Sequence, residues 1–417
     1  MGHYQSTKER KQNEGKELLL ELQLSRIELQ RMVGEGLHGL ALEIGVEVAR
    51  ALLTDEVERH CGPVRRRDRE RRAYRHGQQR GWIAMGGAKV PIQRPRARTI
   101  DGKEIALDLY ETMQRRSGGE EVMRRLVRGV SCRNYRAVID AVRKSYGVSA
   151  SSVSRSFVQA STARVRELAE RRFDGVRFVA IYIDGICFCR HSVVAAVGVS
   201  ERGEKRILAV REGATETAQV CTDLLVDLRE RGVETNRRTL FILDGSKALR
   251  AAVERMWVEQ AEVQRCQQHK LRNVASYLSE HQWTEIGAAM RKAYAESSYK
   301  KAKRSLETVA KWLERINPHA AASLREGLEE TLTVTRLGLQ GRLRRSFATT
   351  NMVEAGFGRA RTMTGRVKRW RDGSMRQRWC VTALLNAEST FRAVRGCSDM
   401  PSLLAALDRP SSKLRVA

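Results

Sequence analysis

Read for the period of its apolar positions, the chain divides into stretches that demand different elements. From Val176 to Phe188 almost every side chain is β-branched, aromatic or otherwise apolar, which predicts a strand buried on both faces. The one acid in that run, Asp184, is followed by Gly185. His191–Val199 and Arg206–Val210 are two more apolar runs, and the polar stretch Ser200–Glu204 predicts a hairpin turn between them. A helical stripe follows from about Thr215 to Arg231, with Val220, Leu224, Leu225 and Leu228 on one face. Thr239–Leu243 is a second pure core strand, and it too runs into an acid and a glycine, Asp244 and Gly245. A helix over Lys247–Trp257 and a short strand over Glu262–Arg265 complete this part.

Strand, strand, strand, helix, strand, helix, strand describes an α/β mixed sheet with helices on its faces, the outline of a ribonuclease H-like core. Residues 270–345 then turn helical throughout. Tyr299, Ala302, Leu306, Val309 and Leu313 keep one apolar stripe and Pro318 starts another helix, so this stretch reads as an all-helical insertion. Thr349–Glu354 open a last helix. Upstream, the stretch from Glu17 to about His60 predicts two amphipathic helices with a break near Val33–Gly39, a possible surface for self-association. Trp82–Met85, Gly86-Gly87 and Lys89–Ile92 predict a β-hairpin whose second strand Pro91 confines to an edge. Residues 119–171 predict helices only, with a turn at Gly147 and capping serines before the last one; that is the outline of a helix-turn-helix. The expected order is therefore an N-terminal helical region over 1–62, then a basic hairpin and helix-turn-helix region over 63–171. The first part of the core covers 172–274, the insertion 275–345, the last part of the core 346–396, and a tail 397–417.

Charge adds a partner to this outline. The 417 residues carry 77 Lys+Arg against 49 Asp+Glu, a formal net charge of +28. Such an excess repels itself unless something anionic is bound, and its spread over every segment suggests a long polyanion, a nucleic acid, contacted along much of the chain, with double-stranded DNA the expected partner. Arg65, Arg66, Arg67, Arg69, Arg71 and Arg72 crowd beside the hairpin, and Arg155 and Arg164 lie on the last helix of the helix-turn-helix outline. Lys270, Arg272, Arg359, Arg361, Lys368 and Arg369 are further expected phosphate contacts near the core. No apolar run approaches the roughly 20 residues of a membrane span. Eight cysteines are too few for a disulfide scaffold, so a reduced, cytoplasmic setting is expected.

Two core strands that each end in an acid-glycine step, 60 positions apart (244 − 184), are not needed for stability. If the strands are neighbours, both carboxylates emerge at one spot and repel unless a cation lies between them. Paired oxygen ligands suit Mg²⁺ or Mn²⁺, and two such ions about 3.5–4 Å apart can act on one phosphodiester. A third acid is then expected, and Glu354 is the choice, although Asn351 with Glu354 three residues on is also a capping box. Glu326, Glu329 and Glu330 are alternatives that look solvated. Cys266-x-x-His269 is half of a zinc site that Cys187 and Cys189 could complete, but a structural role without zinc is preferred. Trp257, Trp283, Trp312 and Trp370 could stack on an unpaired base, though core packing is the default for each.

Tyr182-Ile-Asp184-Gly185, Leu243-Asp244-Gly-Ser-Lys247, Cys266-Gln-Gln-His269-Lys-Leu-Arg-Asn273 and Thr350-Asn351-Met-Val-Glu354 follow one another in an order that resembles the mutator-type bacterial insertion-sequence transposases. The resemblance spans roughly residues 40–390. It implies a DDE transposase with Asp184, Asp244 and Glu354 as catalytic, metal-binding triad and an N-terminal region that recognises terminal inverted repeats. It further implies target DNA as a second partner, a homodimer or higher oligomer, and a bacterial, nucleoid-associated location. A regulator that keeps the fold without turnover, or a structure-selective nuclease on the same fold, are the alternatives.

Overall fold

The computed structural model describes residues 37–64, 71, 73–115, 118–138, 146, 148–188, 191–213, 217–365, 367 and 369–409. The expected helix before residue 37 lies outside them, as do Arg65, Arg66, Arg67, Arg69, Arg72, Gly147, Cys189 and Lys368. The chain forms two compact units divided between Ala160 and Ser161.

In the first unit, helix α1 (Leu37–Cys61) precedes an antiparallel pair, β1 (Ala73–Met85) and β2 (Ala88–Thr99). Val46, Ala49, Leu53 and Val57 of α1 bury one side of the pair against Ile83, Val90, Ile92 and Ala97. The hairpin is far longer than the apolar alternation implied. Its outer half takes in Tyr74–Arg80, where Gly77, Gln78, Gln79 and Arg80 are exposed. That half is held by ladder hydrogen bonds rather than by a buried face, so it carries no period-two signal.

Helices α2 (Asp108–Arg115) and α3 (Gly118–Val127) and a 3₁₀ turn at Tyr135–Val138 follow. The turn expected at Gly147, before α4 (Ala150–Glu170), lies outside the described residues. Tyr146 is extended and exchanges both backbone hydrogen bonds with Lys89 of β2, each 2.9 Å. Serine capping does occur, since Ser149 Oγ accepts from the Ser152 amide at 3.2 Å.

The second unit is built on a five-stranded mixed sheet. Its strands are β3 (Phe178–Phe188), β4 (His191–Ser200), β5 (Lys205–Glu212), β6 (Thr239–Leu243) and β7 (Ala261–Arg265), in the order β5-β4-β3-β6-β7. β4 runs antiparallel to both β3 and β5, whereas β3, β6 and β7 are parallel. Alternate residues of the central strands feed two cores. Ile181, Ile183, Phe241 and Leu243 pack on α5 (Ala218–Glu230) and α6 (Lys247–Trp257), with Trp257 edge-on to Phe241 at 4.8 Å. On the other face, Tyr182, Leu240 and Ile242 share a core with residues of the later helices.

Those later helices divide between two cores. α7 (Gln267–Ala275), α8 (Glu280–Ala295), α9 (Tyr299–Ile316) and α10 (Pro318–Arg325) bury Met290, Leu306, Leu313 and Leu324 among themselves, each contributing about 1.5–3 kcal/mol. That separate core ends near Leu332. α11 (Thr333–Arg336) and α12 (Gly341–Phe347) return Val334, Leu343 and Phe347 to the sheet, so the insertion's own packing stops before residue 345. α13 (Asn351–Thr364) and α14 (Gly373–Glu388) then cover the same face of the sheet. The expected C-terminal tail is partly a packed element, because α15 (Met400–Asp408) buries Met400, Leu403 and Leu407 in that core.

Lys270, expected on DNA, is fully buried. Its Nζ donates to the carbonyls of Ser323 and, at 2.6 Å, Glu326. Arg265 Nη1 donates to the same Glu326 carbonyl at 2.9 Å and Nη2 to the Glu326 carboxylate at 3.1 Å. Both cations therefore cap the C-terminal end of α10, where orphan carbonyls and the helix dipole favour positive charge. This ammonium faces away from solvent and is removed from the set of phosphate contacts.

Candidate active site

β3 and β6 lie side by side with Ile183 opposite Leu243, so Asp184 and Asp244 each come one residue further along adjacent parallel strands. Asp184 is only 4% exposed, and one oxygen accepts from the Gly185 amide at 2.8 Å. Burial pushes its carboxyl up to about 6, and the neighbouring Asp244 adds to that while His269 opposes it. Asp244 Oδ1 accepts from the Ser246 amide at 2.9 Å, and Ser246 Oγ caps α6 by accepting from Leu249 N at 3.2 Å. Gly245 is required in this turn for two reasons. Its φ is +113°, and a Cβ there would sit 2.5 Å from Arg265 Nε.

The third acid arrives from another element. The Cys266 amide donates to Leu243 O at 2.8 Å and the Gln267 amide to Ala348 O at 3.0 Å, which ties the start of α7 to the end of β6 and to the chain entering α13. The Thr350 amide donates to Cys266 Sγ at 3.3 Å. Thr350 Oγ1 stands 3.5 Å from Cys266 Sγ, His269 Nδ1 and Glu354 Oε1. One hydroxyl has one proton, so these contacts are alternatives around a fixed oxygen rather than simultaneous donations. Glu354, in the first turn of α13, has Oε1 at 3.9 Å from His269 Nε2 and 3.3 Å from Arg272 Nη1. His269 is pushed up to about 9, first by its hydrogen bond with Cys266 and then by the charges of Asp184 and Asp244.

Ligand atoms of Asp184, His269 and Glu354 all lie within 4.8 Å of one another. Asp184 and Glu354 are oxygen donors a divalent cation can share, so the residues fit such an ion, whereas Asp244 is near enough to raise the Asp184 carboxyl but is not among the three residues of that 4.8 Å group. The capping-box account of Glu354 does not hold. Thr350, not Asn351, is the N-cap, it makes no side-chain cap bond, and the Glu354 carboxylate faces His269 and Arg272. Glu326, Glu329 and Glu330 are engaged elsewhere, with Arg265, Lys303 and Arg250 respectively.

Of the expected phosphate contacts, Arg71, Arg155, Arg361 and Arg369 are exposed. Arg164 bonds Glu167 at 2.7 Å, Arg359 bonds Thr390, and Arg272 pairs with Glu354 inside the site. Thr350 was present in the sequence motif but not singled out. Its signal was a threonine placed four residues before the acid, able to reach that side chain from the helix's first turn.

Residues 17–391 match the family described as Transposase, Mutator family. The chain belongs to that family. It is 26% identical over 360 residues to the transposase for insertion sequence element ISRM5 of Rhizobium meliloti (strain 1021), covering 84% of each chain. It is 25% identical over 282 residues to the transposase for insertion sequence element IS1201 of Lactobacillus helveticus, covering 64% of this chain and 72% of that one. Among the described residues of this Mutator-family transposase, no helix is long and apolar enough to cross a membrane.

Proposed function

We propose that this insertion-sequence transposase binds the terminal inverted repeats of its element and cuts and joins DNA at Asp184, Asp244 and Glu354. The reaction is hydrolysis of a phosphodiester to leave a 3′-OH, followed by attack of that oxygen on a target phosphodiester, which releases a target 3′-OH. Two Mg²⁺ or Mn²⁺ ions held by the three acids would supply the positive charge that activates the entering oxygen and stabilises the leaving one. The chain's own part is to hold the acids. β3 and β6 set two of them in register, and the Cys266–Thr350 contact sets the helix that brings the third. The sheet order β5-β4-β3-β6-β7, antiparallel on one side and parallel on the other, supports a ribonuclease H-like core. The observation that carries the reading is the buried Asp184, adjacent in register to Asp244 and facing Glu354 from α13.

End recognition is assigned to residues 63–171, with Arg65, Arg66, Arg67, Arg69, Arg71, Arg72, Arg155 and Arg164 on phosphates. Arg272, Arg359, Arg361, Lys368 and Arg369 are assigned to DNA near the core. The working form is a homodimer or higher oligomer. Labelled DNA carrying the element's ends, incubated with the protein and Mg²⁺, tests the reading. Strand transfer supports it, binding without cleavage points to a regulator, and cleavage indifferent to end sequence points to a nuclease. Affinity for the ends should fall steeply with salt, because each neutralised phosphate releases counterions. Arginine-to-alanine changes within 63–171 that leave end preference intact would move recognition elsewhere.

A further inference from the structure

We propose that His269 is a metal ligand through Nε2, and that this nitrogen makes the site favour Mn²⁺ over Mg²⁺. The inference rests on the reading of the acid cluster as a cation site. Two donors on opposite sides of one ion at about 2.1 Å stand roughly 4.2 Å apart, so a cluster spanning 4.8 Å closes on an ion with small side-chain movements. The orientation of the imidazole singles out one nitrogen. Nδ1 is turned to Thr350 Oγ1 at 3.5 Å, whereas Nε2 faces Glu354 Oε1 at 3.9 Å. That distance is too long for a formed hydrogen bond. A metal-bound histidine characteristically has its other nitrogen held by an outer partner that fixes the ring, and here the fully buried Thr350, itself set against the buried Cys266 Sγ, stands in that place. A nitrogen donor among carboxylates disfavours Mg²⁺, which prefers an all-oxygen shell, and suits Mn²⁺ better. Cys266-x-x-His269 then has a division of labour: the thiol positions and the imidazole binds.

The test is pulsed electron paramagnetic resonance of Mn²⁺ added to the full-length protein without DNA, with Mn²⁺ and Mg²⁺ affinities measured alongside. Expected is a modulation from a directly bound ¹⁴N that changes on ¹⁵N-histidine labelling and vanishes in His269→Gln. The same variant should weaken Mn²⁺ by roughly tenfold or more and Mg²⁺ by much less. Should His269→Gln fail to fold, the labelled wild-type spectrum still decides. Mn²⁺ that binds in a Glu354-dependent way but shows no nitrogen coupling would overturn the proposal and leave an imidazolium paired with the acids. Wild-type protein that binds no Mn²⁺ at all would overturn both this proposal and the reading of the acids beneath it.

Discussion

Two clusters of buried charge grow from the same six residues and behave in opposite ways. Arg265 and Lys270 turn toward the helical insertion, where carbonyls at the end of α10 and the Glu326 carboxylate satisfy them. Cys266 and His269 turn toward the sheet, where Asp184 neighbours Asp244 and faces Glu354. The first cluster finds its partners within the chain, although Arg265 Nε is buried without one and burial pulls Lys270 down to about 8. The second holds Asp184 at about 6 against an ordinary 3.8, the mark of a carboxylate buried with too little positive charge around it. A folded protein keeps such an arrangement when something outside the chain completes it, whereas the satisfied cluster needs only stability to explain it. The contrast teaches that burial alone does not separate structural from chemical charge; the state of the partners does.

The largest effects should fall on the unsatisfied side. Asp184→Asn and Asp244→Asn are each expected to slow end cleavage on the order of a thousandfold or more, with the double variant little worse, since residues acting as a unit are not additive. Single-turnover cleavage beside an end-binding titration checks this. Next comes the satisfied side. Lys270→Met removes the donor from the Ser323 carbonyl and leaves the Glu326 carbonyl to Arg265 alone, and denaturant melts should show a loss of about 3 kcal/mol with cleavage retained at permissive temperature. Catalysis lost without destabilisation would erase the distinction between the clusters.

Smaller effects sharpen it. A carboxyl whose folded value is raised from 3.8 to about 6 costs stability when charged, fully above about 6 and not at all well below 3.8. Asp184→Asn should therefore raise the melting temperature of the metal-free protein at neutral pH by a few degrees, and divalent metal should stabilise wild type but not the variant. His269 works with the opposite sign. Raised from 6.5 to about 9, it adds stability that is complete below 6.5 and is lost as pH climbs through 9. Melts of the metal-free protein between those values should decline in wild type and flatten in His269→Gln, the smallest effect because the ring is partly open to solvent.

Much of the second unit was legible because its strands are buried on both faces and read as unbroken apolar runs ending in acids. Asp184 and Asp244 were reachable for that reason, because each breaks an apolar run, whereas a capping box could account for Glu354 and only the order of motifs singled it out. The long hairpin was not legible, because Tyr74–Arg80 pair through backbone atoms and expose their side chains. Lys270 was misassigned because composition does not tell which side of a helix faces the core. α7 buries Lys270, Leu271 and Val274 together and leaves Arg272 exposed. The helix at Met400–Asp408 was missed because Met400, Leu403 and Leu407 make too short a stripe to stand out from a tail.

Glu354→Gln tests the central claim most directly, because the change removes one charge and almost no shape. End cleavage and strand transfer in Mg²⁺ or Mn²⁺ should collapse while folding and binding to the element's ends persist. A Glu354→Gln protein that cleaves within a few-fold of wild type would contradict the account and take the third acid away from α13.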